Sequence, residues 1–313
     1  MPSIPLALAA RDGFHFGHTV HSHGWCALAP FSLRRDPLML ARILHLPSGR
    51  LALVCLEDQE EGLRATLHTP SRATARDTGE ATRAAHAMLN MDLDLAPFRA
   101  RVRRDAHTRW MARGGMGRYL RGATFFEDVV KMILTTNCTW SLTEAMNTNL
   151  VRLLGAGDSA LPRVKDVETG DMPLRDFPAP EAIAACNEEF LRREVRLGYR
   201  APSVFALARR VAQGYDIEAF RTSTASSDEL YRELRTIRGV GDYAASNLLK
   251  LLGRFDRLGL DSWCRMKFAE LHNGSTTASD AEIERFYARF EEWKGLVMWL
   301  DVTKDWYFEK FPD

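Results

Sequence analysis

The sequence predicts an α+β protein, with a small N-terminal antiparallel sheet and a large helical body of two lobes. Short apolar runs between turn signals fill the first third of the chain, and helical spacing of apolar residues begins near residue 97. Capping boxes, in which a Ser or Thr is followed three residues later by Glu, recur in the second part. We therefore assign residues 1–96 to a sheet domain and residues 97–313 to a helical domain.

The first third has the pattern of strands joined by tight turns. Turn signals stand at Asp36-Pro37 and at Pro47-Ser48-Gly49, and the run from Arg50 to Leu56 is typical of a strand that leaves the second turn. A helix is expected near Thr78 to Met91. Together these elements predict an antiparallel sheet of several strands with one helix.

Helix signals dominate from residue 97 onward. The predicted capping boxes are Thr124…Glu127, Ser141…Glu144, Ser226…Glu229 and Ser279…Glu282. Pro180 and Pro202 stand where prolines of a first helical turn belong. The loop from Gly155 to Pro180 is rich in Gly, Pro and Asp and is expected to join two helical halves. The stretch from Trp293 to Trp306 predicts a closing helix.

Composition and charge place the chain among ordinary globular proteins. Its 313 residues are 46% hydrophobic and 27% charged, which suits one large or two ordinary domains and excludes a disordered chain. The 42 basic residues nearly balance the 41 acidic ones, for a net charge of +1. The total charge gives no indication of nucleic acid, so any such argument depends on local charge.

The cysteines indicate neither a disulfide framework nor a cysteine-based metal site. There are five, widely spaced and never arranged as C-x-x-C. Free thiols in a reducing cytoplasm are the simpler interpretation. The first eleven residues lack a charged leader and no apolar run approaches ~20 residues, so we expect neither a signal peptide nor a membrane span.

The stretch from Leu230 to Phe268 carries the most informative motif. Gly239-Val240-Gly241 lies between two predicted helices, Leu230 to Ile237 and Asp242 to Leu252. Two glycines around one apolar residue allow a very tight hairpin and let backbone N–H groups approach an anion. The second helix begins there, so the positive end of its dipole faces the same place. This pattern predicts a phosphate grip on duplex DNA; a plain helical hairpin is the alternative.

Asp261 is the candidate catalytic carboxylate, twenty residues after Gly241. The second helix travels about 16 Å at ~1.5 Å per residue, and the loop from Gly253 to Leu260 can return ~25 Å when extended. Asp261 can therefore lie beside the start of that helix. It can also cap the helix that begins at Ser262, and the two roles are compatible.

These residues resemble the helix–hairpin–helix DNA glycosylase superfamily, in which such a hairpin is followed by a Gly/Pro-containing loop and a catalytic Asp. Upstream, Thr135-Thr-Asn-Cys138, Phe177-Pro178 and Leu197-Gly-Tyr-Arg-Ala201 resemble segments of the 8-oxoguanine DNA glycosylase branch. The resemblance covers roughly residues 115 to 300 and is weaker over the N-terminal sheet. It implies an enzyme that flips a damaged base out of the duplex and cuts its N-glycosidic bond.

The resemblance implies a role for Asp261 and for three further residues. Asp261 would stabilise an oxocarbenium-like sugar and orient or deprotonate water. Asn137 corresponds to the residue that enters the space left by the flipped nucleotide. Tyr199 corresponds to a wedge beside the orphan base, and Arg200 to a hydrogen-bond donor toward an orphan cytosine. Taken singly, the last three have ordinary alternatives: a helix cap, a core aromatic and a surface ion pair.

Tyr243 stands where bifunctional members of the superfamily carry a lysine that attacks the sugar and forms a Schiff base. Lys250 lies two helical turns further along, ~10 Å away, and is a poor substitute. The alkyladenine branch has an aromatic residue at this position, so we expect Tyr243 to stack on the extruded base, with Asn247 on the same helix face. A core aromatic is the alternative. By a looser resemblance, His23 lines the base pocket from the N-terminal sheet.

The one strongly basic stretch runs from Arg99 to Arg121, with eight arginines against a single acid, Asp105. Trp110 and Tyr119 are interleaved with them. This stretch could follow a phosphate backbone, and a solvated helix or loop face is the equal alternative.

Four histidines near the N-terminus raise the question of a metal site. They are His15, His18, His21 and His23. On a strand, His18 would face away from the other three, and no carboxylate or Cys completes a ligand set at useful spacing. We therefore expect no metal there.

The motifs and the resemblance together predict a monofunctional DNA glycosylase of base excision repair that acts on oxidised guanine opposite cytosine or on an alkylated purine. The alternatives are a bifunctional glycosylase/lyase and a non-catalytic damage-binding protein on the same scaffold. We expect no cofactor, and an iron–sulfur cluster is excluded because only Cys264 follows Asp261. The one ion that the hairpin could bind is a structural monovalent cation. The expected partner is double-stranded DNA with a damaged base, and the protein is expected to be a cytoplasmic monomer, associated with the nucleoid in a bacterium.

Overall fold

The computed structural model describes residues 2–9, 13–60, 62–113, 115–164 and 174–310. It confirms the α+β class, with one antiparallel sheet near the N-terminus followed mainly by helices. The strands are β1 (Ser3–Leu6), β2 (Ser32–Arg35), β3 (Leu38–His45), β4 (Leu51–Gln59) and β5 (Gly62–His68). Their order in the sheet is β1-β5-β4-β3-β2, and every neighbouring pair is antiparallel.

Helices account for most of the remaining described chain. The α-helices are α1 (Phe16–Val20), α2 (Ala75–Met88), α3 (Ala96–Val102), α4 (Phe125–Leu134), α5 (Trp140–Leu154), α6 (Pro180–Ala184), α7 (Glu188–Arg193), α8 (Ala201–Ala212), α9 (Ser227–Leu234), α10 (Asp242–Leu251), α11 (Ser262–His272), α12 (Asp280–Tyr287), α13 (Lys294–Val302) and α14 (Lys304–Lys310). Short 3-10 helices span Trp25–Ala27, Arg109–Ala112, Gly198–Arg200, Ile217–Arg221 and Ala288–Trp293.

The chain forms two compact units. The first contains Met1–Asp92 and Tyr119–Ala219, and so holds the sheet with α1, α2 and α4 to α8. The second contains Leu93–Arg118 and Phe220–Asp313, and so holds α3 and α9 to α14. The division into domains at residue 96 stays a prediction. No helix in the described part of the chain has both the length and the apolar character needed to cross a membrane.

The tight turn predicted at Pro47-Ser48-Gly49 joins β3 to β4. Leu46 N–H donates to the Arg50 carbonyl at 2.8 Å, and Gly49 N–H donates to the Leu46 carbonyl at 2.9 Å. Gly49 has φ +77°, a left-handed conformation that glycine adopts without a steric penalty. The turn therefore fixes the register in which His45 faces Leu51.

Strands β3 and β4 are buried on both faces, which explains why their sequences are apolar runs rather than alternating patterns. One face forms a core cluster with Leu161, from the segment that follows α5. Its strand members are Met39, Ala41, Ile43, Leu51, Leu53 and Cys55. Part of the loop predicted from Gly155 to Pro180 thus covers the sheet, while residues 165–173 of that loop lie outside the described residues.

Buried ion pairs link β3 to α4 in the first unit. Arg42 Nη1 lies 3.0 Å from Glu127 Oε2, and Lys131 Nζ lies 2.7 Å from Glu127 Oε1. Arg42 Nη2 also reaches Asp176 Oδ1 at 3.2 Å. Burial opposes the charge of Glu127, but Arg42 and Lys131 outweigh it and hold the pKa of that carboxyl below its usual range. Buried charges are tolerated here because each has a close partner.

The helix signals in the sequence were mostly correct. Ser226 and Ser279 form complete capping boxes, and Thr124 accepts the Glu127 N–H at the start of α4. Pro180 and Pro202 lie in the first turns of α6 and α8. The expected closing helix is split at Thr303, between α13 and α14.

The segment around the N-terminal histidines, which was considered only as a possible strand, contains the short helix α1. His15 is its N-cap and accepts the His18 N–H on its Nδ1 at 3.2 Å. The capping box predicted at Ser141 was wrong. Ser141 does not begin a helix, because Thr139 is the N-cap of α5 and Ser141 lies inside its first turn. The Thr139 hydroxyl accepts the Leu142 N–H at 3.4 Å and so satisfies one of the orphan amides at the start of α5.

Candidate active site and DNA interface

The predicted hairpin lies between α9 and α10 in the second unit. Gly239 has φ +88°, which a residue with a side chain rarely adopts. Val240 is buried, and its N–H donates to the Ile237 carbonyl at 3.0 Å, which closes the turn. Gly241 is the N-cap of α10, and a Cβ placed on it would meet no atom within 4 Å. The start of α10 is therefore open to a large anion.

The loop after α10 runs back along that helix. Lys250 Nζ donates to the Leu258 carbonyl at 2.5 Å, and Asn247 Nδ2 donates to the Gly259 carbonyl at 3.3 Å. Successive loop residues thus pair with helix residues that lie progressively nearer the start of α10. This return is the path that the chain must take if Asp261 is to approach the hairpin.

Asp261 is the N-cap of α11. Its Oδ1 accepts the Cys264 N–H at 2.7 Å, as the sequence predicted for a capping role. The carboxylate also interacts electrostatically with Lys250 and Arg265. Burial, helped by the charge of Asp261, raises the pKa of the Cys264 thiol to about 12, so this thiol is neutral at physiological pH. Among these groups Asp261 is the one suited to stabilise positive charge on a substrate.

Lys250 is buried, which the sequence does not indicate. From the sequence it is only a displaced candidate for the lyase lysine. The side chain is 1% exposed, and its ammonium donates to Leu258 and to Asn247 Oδ1, the latter at 3.2 Å. Burial lowers the pKa of Lys250 to about 8, against the attraction of Cys264 and Asp261. The lysine thus fastens the loop that carries Asp261 to α10.

Tyr243 and Asn247 occupy different environments on α10. Tyr243 is half-buried and lines an open cavity of about 790 Å³ together with Tyr231 and Leu260. The amide of Asn247 donates to the Tyr243 carbonyl at 2.9 Å and to Gly259, and it accepts from Lys250. The structure therefore uses Asn247 to hold the loop, and its contribution to a base pocket stays a prediction.

The three residues expected at the orphan base meet in the first unit, around the Thr136 carbonyl. Asn137 is exposed in a left-handed conformation with φ +48°, directly after the carbonyl. Tyr199 is 59% exposed, and its hydroxyl donates to that carbonyl at 3.1 Å. Arg200 Nη2 donates to the same oxygen, and the guanidinium lies 4.4 Å from the centre of the Tyr199 ring. Segments more than sixty residues apart in sequence are thus joined.

Arg200 does not face solvent, unlike the exposed side chain expected of a residue that hydrogen-bonds an orphan base. The residue is only 4% exposed, whereas Tyr199 and Asn137 beside it face solvent. In this arrangement Arg200 holds the Asn137 turn against the Tyr199 ring. Its role toward an orphan base stays a prediction.

Several solved DNA glycosylases are similar to this chain along most of its length. The 3-methyladenine DNA glycosylase from Archaeoglobus fulgidus matches with a TM-score of 0.68 at 18% identity, over 98% of this chain and 99% of that chain. The Clostridium acetobutylicum 8-oxoguanine glycosylase/lyase in its apo form matches with a TM-score of 0.60 at 17% identity, over 83% and 88%. The same Clostridium enzyme, in complex with double-stranded DNA containing cytosine opposite 8-oxoguanine, matches with a TM-score of 0.59 at 13% identity, over 89% and 99%. No family model and no curated protein matches the sequence.

The chain has the fold of the helix–hairpin–helix DNA glycosylases. The resemblance seen in the sequence is thereby confirmed at the level of the fold. Because 3-methyladenine and 8-oxoguanine enzymes share this glycosylase fold, the fold does not choose between the two lesions.

The N-terminal part of the glycosylase fold places His23 at the end of a turn in the first unit. Its Nδ1 lies 2.9 Å from the Ser22 hydroxyl, and its ring lies 4.8 Å from that of Trp25 and 5.0 Å from that of Tyr119. Gly24 follows with φ +93°, and a Cβ on it would come within 3.0 Å of the Trp140 ring. His23 is thus held in an aromatic environment, and its place in a base pocket stays a prediction.

The basic stretch from Arg99 to Arg121 contains both buried and exposed arginines. Arg118 is buried, and Arg101 stacks on Phe290 with 5.2 Å between the guanidinium carbon and the ring centre. Arg103, Arg104 and Arg109 are exposed. Only part of the stretch can therefore contact a phosphate backbone without rearrangement of the glycosylase fold.

Proposed function

We propose that this protein is a DNA glycosylase that hydrolyses the N-glycosidic bond of a damaged purine flipped out of duplex DNA. The supporting observation is the return of the Gly253–Leu260 loop along α10, which places Asp261 at the head of α11 in the unit that carries the hairpin. A full-length match to the fold of a DNA glycosylase supports the same reaction class.

In the proposed reaction, Asp261 acts where positive charge develops on the sugar. The C1′–N bond breaks with its electron pair leaving on the base, and the sugar becomes oxocarbenium-like. The Asp261 carboxylate stabilises that cation and accepts a proton from the water whose oxygen bonds to C1′. The hairpin supplies backbone N–H groups and the positive end of α10 to a phosphate, which positions the duplex without reading its sequence.

Asp261→Asn tests the assignment. Asn is as good an N-cap as Asp, so the fold should be retained while the charge is lost. We expect single-turnover excision to fall by about 10²–10⁴, with DNA binding near that of wild type. Substrates are duplexes carrying oxidised, alkylated or deaminated bases opposite each normal base.

Glu270→Gln is the matched control, because Glu270 is an exposed carboxylate of the same unit, paired with Lys267 at 2.8 Å, and lies outside the cavity that Tyr243 lines. Activity of Asp261→Asn within about threefold of wild type would contradict the catalytic role. If wild type excises none of the lesions but binds damaged duplex selectively, the non-catalytic alternative replaces the proposal.

We also infer that the enzyme is monofunctional, since Tyr243 occupies the position of the lyase lysine and the amine of Lys250 is buried in two hydrogen bonds. Borohydride should therefore trap no covalent protein–DNA adduct during excision. Tyr243→Lys places an amine at the lyase position and should introduce trapping. An adduct of wild type that disappears in Lys250→Met would show a displaced lyase residue instead.

For the substrate, we infer oxidised guanine opposite cytosine ahead of an alkylated purine. The inference is supported by Asn137, Tyr199 and Arg200, which the fold gathers at one carbonyl. The aromatic Tyr243 argues in the other direction, because an electron-poor alkylated purine stacks well on a ring and leaves easily. Asn137 and Arg200, the two expected cytosine readers, lie in sequence segments that resemble the 8-oxoguanine branch. We give these two positions more weight than the single substitution at Tyr243.

A further inference from the structure

A buried carboxylate in the second unit gathers two histidines from distant parts of the sequence. Asp301 lies on α13 and is 2% exposed. His272, the last residue of α11, brings its Nε2 to 2.7 Å from Asp301 Oδ2. His107, in the segment after α3, brings its Nε2 to 3.1 Å from Asp301 Oδ1. One ligand atom from each residue lies within 4.8 Å of the other two.

We propose that His107, His272 and Asp301 form a binding site for a divalent metal ion of the Zn²⁺ type. Two imidazole nitrogens and one carboxylate oxygen are a donor set that zinc accepts, with a water in the fourth position. The His107 side chain is 45% exposed, so the site opens to solvent on that side, whereas His272 and Asp301 are 9% and 3% exposed.

The surroundings hold two of the three ligands in place. The Tyr287 hydroxyl donates to Asp301 Oδ2 at 2.7 Å. The His272 ring packs against Phe268 and Phe286, with ring centres 5.2 Å and 4.5 Å apart. Such outer contacts orient metal ligands and reduce the entropy that is lost on binding.

The surroundings of the carboxylate favour its anionic form. The Tyr287 hydroxyl and the His272 Nε2 each lie 2.7 Å from Asp301 Oδ2, and His107 Nε2 lies 3.1 Å from Oδ1. An ion bound here would meet one carboxylate oxygen and two imidazole nitrogens.

Metal binding needs small movements of the ligands in both directions. Ligands of tetrahedral zinc lie about 3.4 Å apart when each bond is ~2.1 Å, so the widest pair has to close by at most about 1.4 Å. The 2.7 Å between His272 Nε2 and Asp301 Oδ2 has to open by about 0.7 Å, and the proton between these two atoms has to leave. Each neutral imidazole then binds through Nε2 and carries its proton on Nδ1. The bound ion would tie the segment after α3 to α11 and α13.

The experiment measures metal binding and is independent of glycosylase activity, so a failure of the proposed function leaves it interpretable. The full chain is stripped with chelator and titrated with Zn²⁺ against a chromophoric competitor, and with Co²⁺ while its visible absorption is followed. We expect one tight equivalent of Zn²⁺ and a tetrahedral Co²⁺ spectrum in wild type.

Three variants test the assignment of ligands. His107 is half-exposed, so the variant His107→Ala should fold. This variant is expected to weaken Zn²⁺ binding at least 100-fold and to abolish the Co²⁺ spectrum. Tyr287→Phe leaves the ligands intact and should weaken binding by about 10–100-fold. His86→Ala is the matched control, a partly exposed histidine beside Asp92, and should bind as wild type does.

A hydrogen-bonded network without a metal site gives a different result. Wild type would then bind no tighter than His107→Ala, with any weak binding left unchanged by that substitution. Full Zn²⁺ affinity in His107→Ala, or a loss in His86→Ala equal to that in His107→Ala, would equally overturn the proposal.

Discussion

Burial disfavours the charged form of the Lys250 amine, whereas its hydrogen bonds favour that form. Its two acceptors, the Leu258 carbonyl and Asn247 Oδ1, stabilise the loop that carries Asp261. Burial nevertheless lowers the pKa of the amine to about 8. An unfolded lysine titrates near 10.5, so the unfolded chain binds more protons than the folded chain between these two values. Folding stability contributed by this group therefore rises with pH across that window.

We expect this rise to appear in wild type and to be absent from Lys250→Met. The stability of wild type relative to Lys250→Met should increase by about 2 kcal/mol between pH 7 and pH 10, because the cost of burying a charged amine declines as the amine loses its proton. Urea unfolding at both pH values measures the difference, and comparison with the variant cancels the titration of other groups. Lys267→Met, at an ion-paired surface lysine, is the control. A difference that does not change with pH would contradict the buried, depressed-pKa state.

The hairpin between α9 and α10 contains two glycines with different physical requirements. Gly239 needs its left-handed φ, so a side chain there strains the turn. Gly241 has an ordinary φ of −85° and open space around its Cβ position, so a side chain there fits. The absence of a side chain at Gly241 therefore suits an incoming ligand rather than the fold itself.

Substitutions at the two glycines should separate folding from DNA binding. Gly239→Ala should destabilise the protein by about 1–2 kcal/mol. Gly241→Asp should keep or raise the melting temperature, because Asp is a better N-cap than Gly, and should still weaken binding to damaged and undamaged duplex equally. Gly241→Asn is a control with the same shape and no charge. Thermal unfolding and fluorescence anisotropy give the two readouts, and a selective loss on damaged DNA alone would rule out the phosphate grip.

At the scale of the whole molecule, local patterns predicted the elements and long-range contacts decided the rest. The sheet, the hairpin and the capping role of Asp261 follow from spacing and residue type over a few positions. The burial of Lys250 does not, because its acceptor on Leu258 comes from the loop beyond the helix. His107 and Asp301 are 194 residues apart, so no motif could join them.

The assignment of chain segments to the two units also escapes local analysis. Leu93–Arg118 interrupts the first unit in sequence and belongs to the second, which neither propensity nor composition indicates. Arg200 is a similar case, since its burial depends on the Thr136 carbonyl, contributed by a segment sixty-four residues away. A sequence motif thus identified the residue but not its environment.

Substrate choice has to be measured on the whole chain, because the residues expected to read the orphan base belong to the first unit and Asp261 belongs to the second. We expect wild type to prefer cytosine opposite its best lesion by a factor of ten or more, since one well-made base contact discriminates by ~1–3 kcal/mol. Arg200→Ala should lose most of that preference, because it removes the guanidinium donor and also frees the Asn137 turn that Arg200 holds. Excision rates on duplexes that differ only in the opposite base measure the effect. Arg193→Ala, at an exposed arginine of α7, should keep the wild-type preference. If wild type is indifferent to the opposite base, the cytosine-reading role is wrong and an alkylated purine becomes the better substrate.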